Sequence, residues 1–179
     1  SYRSIAEASE TTLATPSQIA QSTQIPKKVE VSQKTIPEFD NVKISMALKN
    51  WIIGNKGKYG VVVSDGKGTV IAQYSPDDQF FMASIYKLYV AYLAYQKIDL
   101  GLLSPSEPYL NGMTRGQCLD EMIRSSNNPC GEKMMAELGK ELKSKLLEYG
   151  FSGTSISGFT TSAADTNRLL VRIKNSNDL

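Results

Sequence analysis

FFMASIYKLYVAY, residues 80–92, sets Ser84 and Lys87 three positions apart among side chains that are otherwise apolar or aromatic. Between Ala83 and Tyr95 Lys87 is the only charge, so a helix here is apolar nearly all round and belongs inside the molecule. Positions three apart share a helix face, which brings the ammonium towards the hydroxyl. A lysine removed from water has a depressed pKa and can be neutral enough to take a proton, activating a serine that is otherwise a poor nucleophile. A hydroxyl at a helix N-terminus also lies beside free backbone N–H groups able to hold a developing oxyanion. The competing reading of the same residues is structural: Lys87 runs to the surface along its alkyl stem and Ser84 is only an N-cap. Ser-x-x-Lys alone does not decide between them, since Ser64-Asp65-Gly66-Lys67 also fits and falls in a turn where both side chains are expected to be solvated and inert.

Composition narrows the chemistry. The 20 basic and 18 acidic residues are mixed along the chain, which leaves no like-charge block to grip nucleic acid. With no histidine among 179 residues, acid–base work falls to Lys, Tyr, Asp or Glu, and no Ser-His-Asp arrangement can exist. Two cysteines, Cys118 and Cys130, are too few for a metal site, so no metal and no cofactor is expected. If residues 115–125 are helical, the pair lies near opposite ends of that helix, about 15 Å apart, and two free buried thiols are expected. The longest apolar run, 80–95, is interrupted by Lys87 and too short to cross a bilayer; a removed leader stays open.

Residues 1–37 contain 18 Ser, Thr, Gln or Pro and read as a linker or stalk; the folded domain is expected over 38–179. Ile44, Leu48, Trp51 and Ile52 recur at helical spacing. Two β-branched runs, 60–64 and 69–75, flank Asp65-Gly66 and predict an antiparallel hairpin. From Met82 onward the pattern is helical almost throughout. Thr114 with Gln117 forms a capping box for a helix to Arg124, Asn128 reads as an N-cap before Pro129, and Gly150 stops the helix that carries Leu146 and Leu147. Ser162 with Asp165 caps a last helix from Ala163 to about Lys174. Two strands alone are marginal and need partners.

A second segment, MIRSSNNPCGEKM at 122–134, closes one helix in Ser125-Ser126-Asn127-Asn128 and opens another at Pro129. By itself it reads as a polar helix–helix turn. Together with FFMASIYKLYVAY it resembles the serine β-lactamase and penicillin-binding-protein superfamily, closest to class A β-lactamases, whose signature is Ser-x-x-Lys, Ser-Asp-Asn and Lys-Thr-Gly. FTTSAADTNRLL, 159–170, is similar to the helix start that follows that family's omega loop. The likeness runs in order over about 38–174.

The resemblance implies an α+β fold, an antiparallel sheet packed with helices beside an all-α subdomain. Ser84 would be the acylated nucleophile and Lys87 its proton acceptor; Ser126 would relay a proton to the leaving nitrogen, and Asn128 would bond the substrate amide. The substrates implied are β-lactams or D-Ala-D-Ala peptides of the peptidoglycan stem, in an extracytoplasmic setting near the cell wall. Asn127 replaces the motif's aspartate, which is structural in the family. GFSGTSISG offers no carboxylate for the water-activating glutamate, and Glu148 reads as part of a solvated face. No Lys-Thr-Gly follows Arg172, so the last strands are expected from a longer polypeptide or a second chain. A catalytically inactive scaffold or cell-wall binding module, and an unrelated helical domain with accidental motif matches, stay open as alternatives.

Overall fold

A computed structural model describes residues 40–176 of the chain. The 1–37 segment, expected to be a linker, lies outside the described residues. Helix α1 (Asn41–Gly54) is capped by Asp40, whose carboxylate accepts from the Lys43 N–H. Its stripe of Ile44, Leu48 and Ile52 turns inward and packs on strand β2, while Trp51 stays 53% exposed and edge-on to Tyr59. The hairpin β1 (Val61–Ser64) and β2 (Val70–Tyr74) forms as the Asp65-Gly66 signal predicts, with Asp65 Oδ1 accepting from the N–H groups of Lys67 and Thr69. Ser64 departs from its expected solvated state: its hydroxyl donates to Asn167 Oδ1 at 2.8 Å and ties the hairpin to the last helix, whereas Lys67 is exposed.

The short strand β3 (Phe80–Phe81) leads through a 3-10 turn, Ala83–Ile85, into α2 (Tyr86–Asp99). Helix α2 is the centre of the core: Tyr86, Lys87 and every residue from Tyr89 to Ala94 are buried. Strands β4 (Pro108–Leu110) and β5 (Met113–Thr114) form a second small hairpin. Then α3 (Arg115–Arg124) and α4 (Asn128–Lys145) pack against α2 and each other. The capping box of Thr114 and Gln117 is present in both directions. Helix α4 ends at Lys145 and the chain turns at Gly150, whose φ of +78° suits a residue without Cβ. Glu148 is exposed there and pairs with Lys145 at 2.7 Å.

Strand β6 (Thr160–Thr161) pairs antiparallel with β3, and α5 (Ala163–Asn175) begins at the Ser162 cap as expected and packs against β1. Sequence patterning did not resolve β3, β4, β5 or β6; runs of two or three residues carry no periodicity to read. The architecture of the described residues is α+β, small antiparallel sheets set among five α-helices, consistent with a β-lactamase-like fold.

One expectation is overturned. Cys118 and Cys130 form a disulfide, with Cα atoms 5.4 Å apart. The 15 Å expectation continued the rise of one helix past its end; Cys130 sits instead in the first turn of α4, after the chain reverses at Ser126 and brings α4 back alongside α3.

Candidate active site

Ser84 is exposed, in the 3-10 turn, and its backbone predecessor Ala83 has a φ of +44°. Left-handed backbone at a non-glycine residue costs about 1–3 kcal/mol and persists only where its surroundings enforce it. Here the enforcement comes from both sides: Met82 N–H donates to the Phe159 carbonyl at 3.0 Å, and Ile85 N–H closes the turn on the Met82 carbonyl at 2.9 Å. The serine is therefore presented from a fixed corner between β3 and α2.

Lys87, one helical turn on, is 2% exposed and does not run to the surface. Its ammonium donates to the Ser126 carbonyl at 2.6 Å, the Ser126 hydroxyl at 2.9 Å and Asn128 Oδ1 at 2.7 Å. Three donors meet three acceptors, which is what a buried ammonium needs to offset lost hydration. The Ser126 hydroxyl in turn donates to Ser84 Oγ at 3.1 Å. Helical spacing led to a direct approach of Lys87 to Ser84; in the structure Ser126 stands between them and completes a continuous chain of hydrogen bonds.

The polar turn supplies these acceptors because of how two helices meet. Helix α3 ends at Ser125, and Ser126 takes the left-handed conformation, φ +55°, that commonly follows a C-cap. Glycine is usual at such a position, but glycine has no hydroxyl to place between Lys87 and Ser84. The cap of α4 is Asn127 and not Asn128: Asn127 Oδ1 accepts from the Cys130 N–H at 3.0 Å. That shift by one residue matters, because it leaves the Asn128 side chain free for Lys87. With its oxygen on the ammonium, the Asn128 amide has its NH₂ left to offer the cavity that Asn128 lines with Ser84.

Gly131 is a residue that motif spacing did not single out. A Cβ there would lie 2.6 Å from the Tyr86 hydroxyl and 2.9 Å from Lys87 Cε, so α4 can approach the lysine stem only without a side chain. An isolated glycine inside a helical pattern is the sequence signal for such an approach. Tyr86 lies beside it, its pKa raised first by burial and then by the negative charge of Glu132. The disulfide joins α3 to α4 across this same turn.

Beneath the serine corner, a buried network fixes the segment after α4. Thr154 Oγ1 donates to Asp165 Oδ2 at 2.8 Å and lies 3.2 Å from Tyr89 Oη, and both Thr154 and Tyr89 reach Thr161 Oγ1 at 2.9 Å. Asp165 is fully buried and also accepts from Arg168 Nη1 at 2.5 Å. This network positions Phe159 and β6 against the Ser84 turn. No carboxylate from residues 151–158 enters the site, since that segment contains none.

All four residues singled out from sequence, Ser84, Lys87, Ser126 and Asn128, thus converge. A comparison with curated proteins finds no match for the chain. A model of the beta-lactamase enzyme family matches residues 43–178, which spans the hairpin, the Ser84 turn, the α3–α4 turn and α5. On that match, and with this geometry, the chain belongs to the beta-lactamase enzyme family, within the serine β-lactamase-like superfamily.

Proposed function

We propose that the protein is a serine acyl-transfer enzyme, closest to the class A type, that reacts with β-lactams or D-Ala-D-Ala peptides through an acyl-Ser84 intermediate. The observation that carries this reading is the unbroken chain from Ser84 Oγ through Ser126 Oγ to the buried Lys87 amine. When Lys87 is neutral, its nitrogen accepts from the Ser126 hydroxyl, which turns away from Ser84 and accepts from the Ser84 hydroxyl instead; as Ser84 Oγ attacks the carbonyl carbon, its proton passes to Ser126 and the Ser126 proton passes to Lys87. The tetrahedral intermediate collapses with cleavage of the C–N bond. Ser126 then gives its proton to the departing nitrogen and recovers one from Lys87, so a single relay serves both halves of acylation. The first N–H groups of the nucleophile turn, which have no intrahelical carbonyl, are available to the oxyanion.

With no carboxylate in residues 151–158 to activate water, the reading favours stable acylation, as in penicillin-binding proteins, over rapid turnover. The disulfide supports an extracytoplasmic location, where such bonds persist. Among the described residues β1 pairs only with β2. A cavity of about 460 Å³ lined by Val61, Phe81, Ile85 and Leu170 adjoins it, which supports docking of further strands from a longer polypeptide or a second chain.

Fluorescent-penicillin labelling followed by intact mass tests the reading. A one-to-one adduct that is lost in Ser84→Ala supports it. No adduct from the folded protein, with any strand-supplying partner present, rejects it in favour of an inactive scaffold.

A further inference from the structure

The cavity that opens beside Ser84 holds about 540 Å³ and is bounded by Ser84 and Asn128 on one side and by Glu132, Met135, Tyr86 and Phe159 on the other. Glu132 is its one charged lining residue. It lies one helical turn beyond Asn128 on the same face of α4, which sets the two Cβ atoms about 5–6 Å apart. Among the described residues Glu132 makes no ion pair. The neighbouring cation, Lys133, is engaged elsewhere, donating to the Tyr109 carbonyl and lying over the Tyr109 ring. Lys87 does not line the cavity: its nitrogen is held behind it by Ser126 and Asn128, 5.8 Å from the Tyr86 ring centroid.

Tyr86 and Phe159 line the same cavity as this carboxylate, their ring centroids 5.2 Å apart at a 50° tilt. Burial first, and then the negative charge of Glu132, raises the Tyr86 pKa. A carboxylate and two aromatic rings, with no other charged residue in the lining, form a site for an ammonium group.

We propose that this cavity selects acyl donors carrying a cationic amine on the acyl side of the scissile bond, with Glu132 as the specificity-determining residue and Tyr86 and Phe159 as its aromatic walls. The proposal rests on the acyl-Ser84 reading and names the substrate class within it. Because the cavity includes Ser84 itself, the amine must lie within a few bonds of the carbonyl under attack.

The test uses two penicillins that differ only in an α-amino group on a phenylacetyl side chain, with acylation rates measured by intact mass. The intact chain should prefer the amino compound. In Glu132→Gln the ratio of the two rates should fall about five-fold, the upper end for an ion pair open to solvent, and in Glu132→Lys it should fall further. An unchanged ratio overturns the proposal while leaving acylation intact. So does a longer adduct lifetime of equal size for both compounds in Glu132→Gln, which would make Glu132 a water-activating base instead. A second measurement needs no acylation: phenylglycinamide and neutral phenylacetamide are titrated into Ser84→Ala protein, with Tyr86 and Phe159 ring resonances as the readout. Preferential shifts from the cation support the site even if neither penicillin reacts, an outcome that would reject the acyl-enzyme reading alone. Equal or absent shifts overturn the site.

Discussion

The Lys87 ammonium donates to both the backbone carbonyl and the hydroxyl of Ser126, at 2.6 and 2.9 Å, so one residue in left-handed backbone holds the lysine and links it to Ser84. Replacing Lys87 by methionine keeps the stem volume but removes the donor. The Ser126 carbonyl and Asn128 Oδ1 then lose a partner in a partly buried place, at a cost of about 1 kcal/mol. Acylation should fall about 10²–10⁴-fold, the range for loss of a positioned general base. Urea unfolding and penicillin labelling on the same preparation separate the two effects. A variant that labels at the native rate would mean that the lysine is only a structural cation.

Gly131→Ala sets two effects against each other. Alanine in a helix interior is favoured over glycine by about 1 kcal/mol. The new Cβ would meet the Tyr86 hydroxyl at 2.6 Å and Lys87 Cε at 2.9 Å, and forcing a methyl into packed space costs about 1–3 kcal/mol. The clash should win, with a net loss of stability and a displaced lysine. A shift of about 1 Å there is enough to lower acylation by about 10²-fold. If the substitution stabilises the protein and leaves labelling unchanged, α4 and α2 are less tightly joined than this contact requires.

The parts of the fold and site that were legible in the sequence share one property: each is a local signal. The Asp65-Gly66 hairpin, the Thr114 capping box and the Ser162 cap are decided within four residues, and the structure contains all three. Burial of Lys87 was legible because no other charge lies near it on α2. What was not legible depends on how helices meet. Whether Asn127 or Asn128 caps α4 is settled by which amide the buried lysine takes. The pairing of Cys118 with Cys130 depends on the reversal at Ser126, which no periodicity encodes. Glu132 and Tyr86 reach the Ser84 cavity only because the segment after α4 leaves that space open.

The disulfide should contribute mainly by restricting the unfolded chain. It closes a loop between residues 12 apart, for which chain-entropy arguments give about 3 kcal/mol. The Cys118→Ser, Cys130→Ser double variant should lose about that much stability, and labelling should slow because α3 and α4 are no longer joined across the Ser126–Asn128 turn. Alkylation in denaturant without reductant should find no free thiol. Full modification under those conditions would show the cysteines reduced and return the earlier expectation of two separate thiols.

Glu137 gives a pH signature at the other end of the α3–α4 pair. Burial alone would raise its pKa, but hydrogen bonds outweigh it: Arg115 Nη1 donates to both carboxylate oxygens at 2.8 and 2.9 Å, and the Tyr109 hydroxyl donates at 2.7 Å. The net shift is downward from the usual value of 4.5. A carboxylate with a lower pKa folded than unfolded contributes stability that is fully present above about pH 4.5, where both states are ionised. As pH falls below that value the unfolded chain takes up its proton first, and the contribution fades until the folded group is also protonated. Arg115, only 4% exposed, is then left with Glu107 as its remaining carboxylate partner. Glu137→Gln should therefore be less stable than the native protein at pH 7, and the difference should shrink steadily below pH 4.5. Urea titrations of both proteins between pH 3 and 7 check this; a stability difference that stays constant across that range would show that the carboxylate acts there by shape and not by charge.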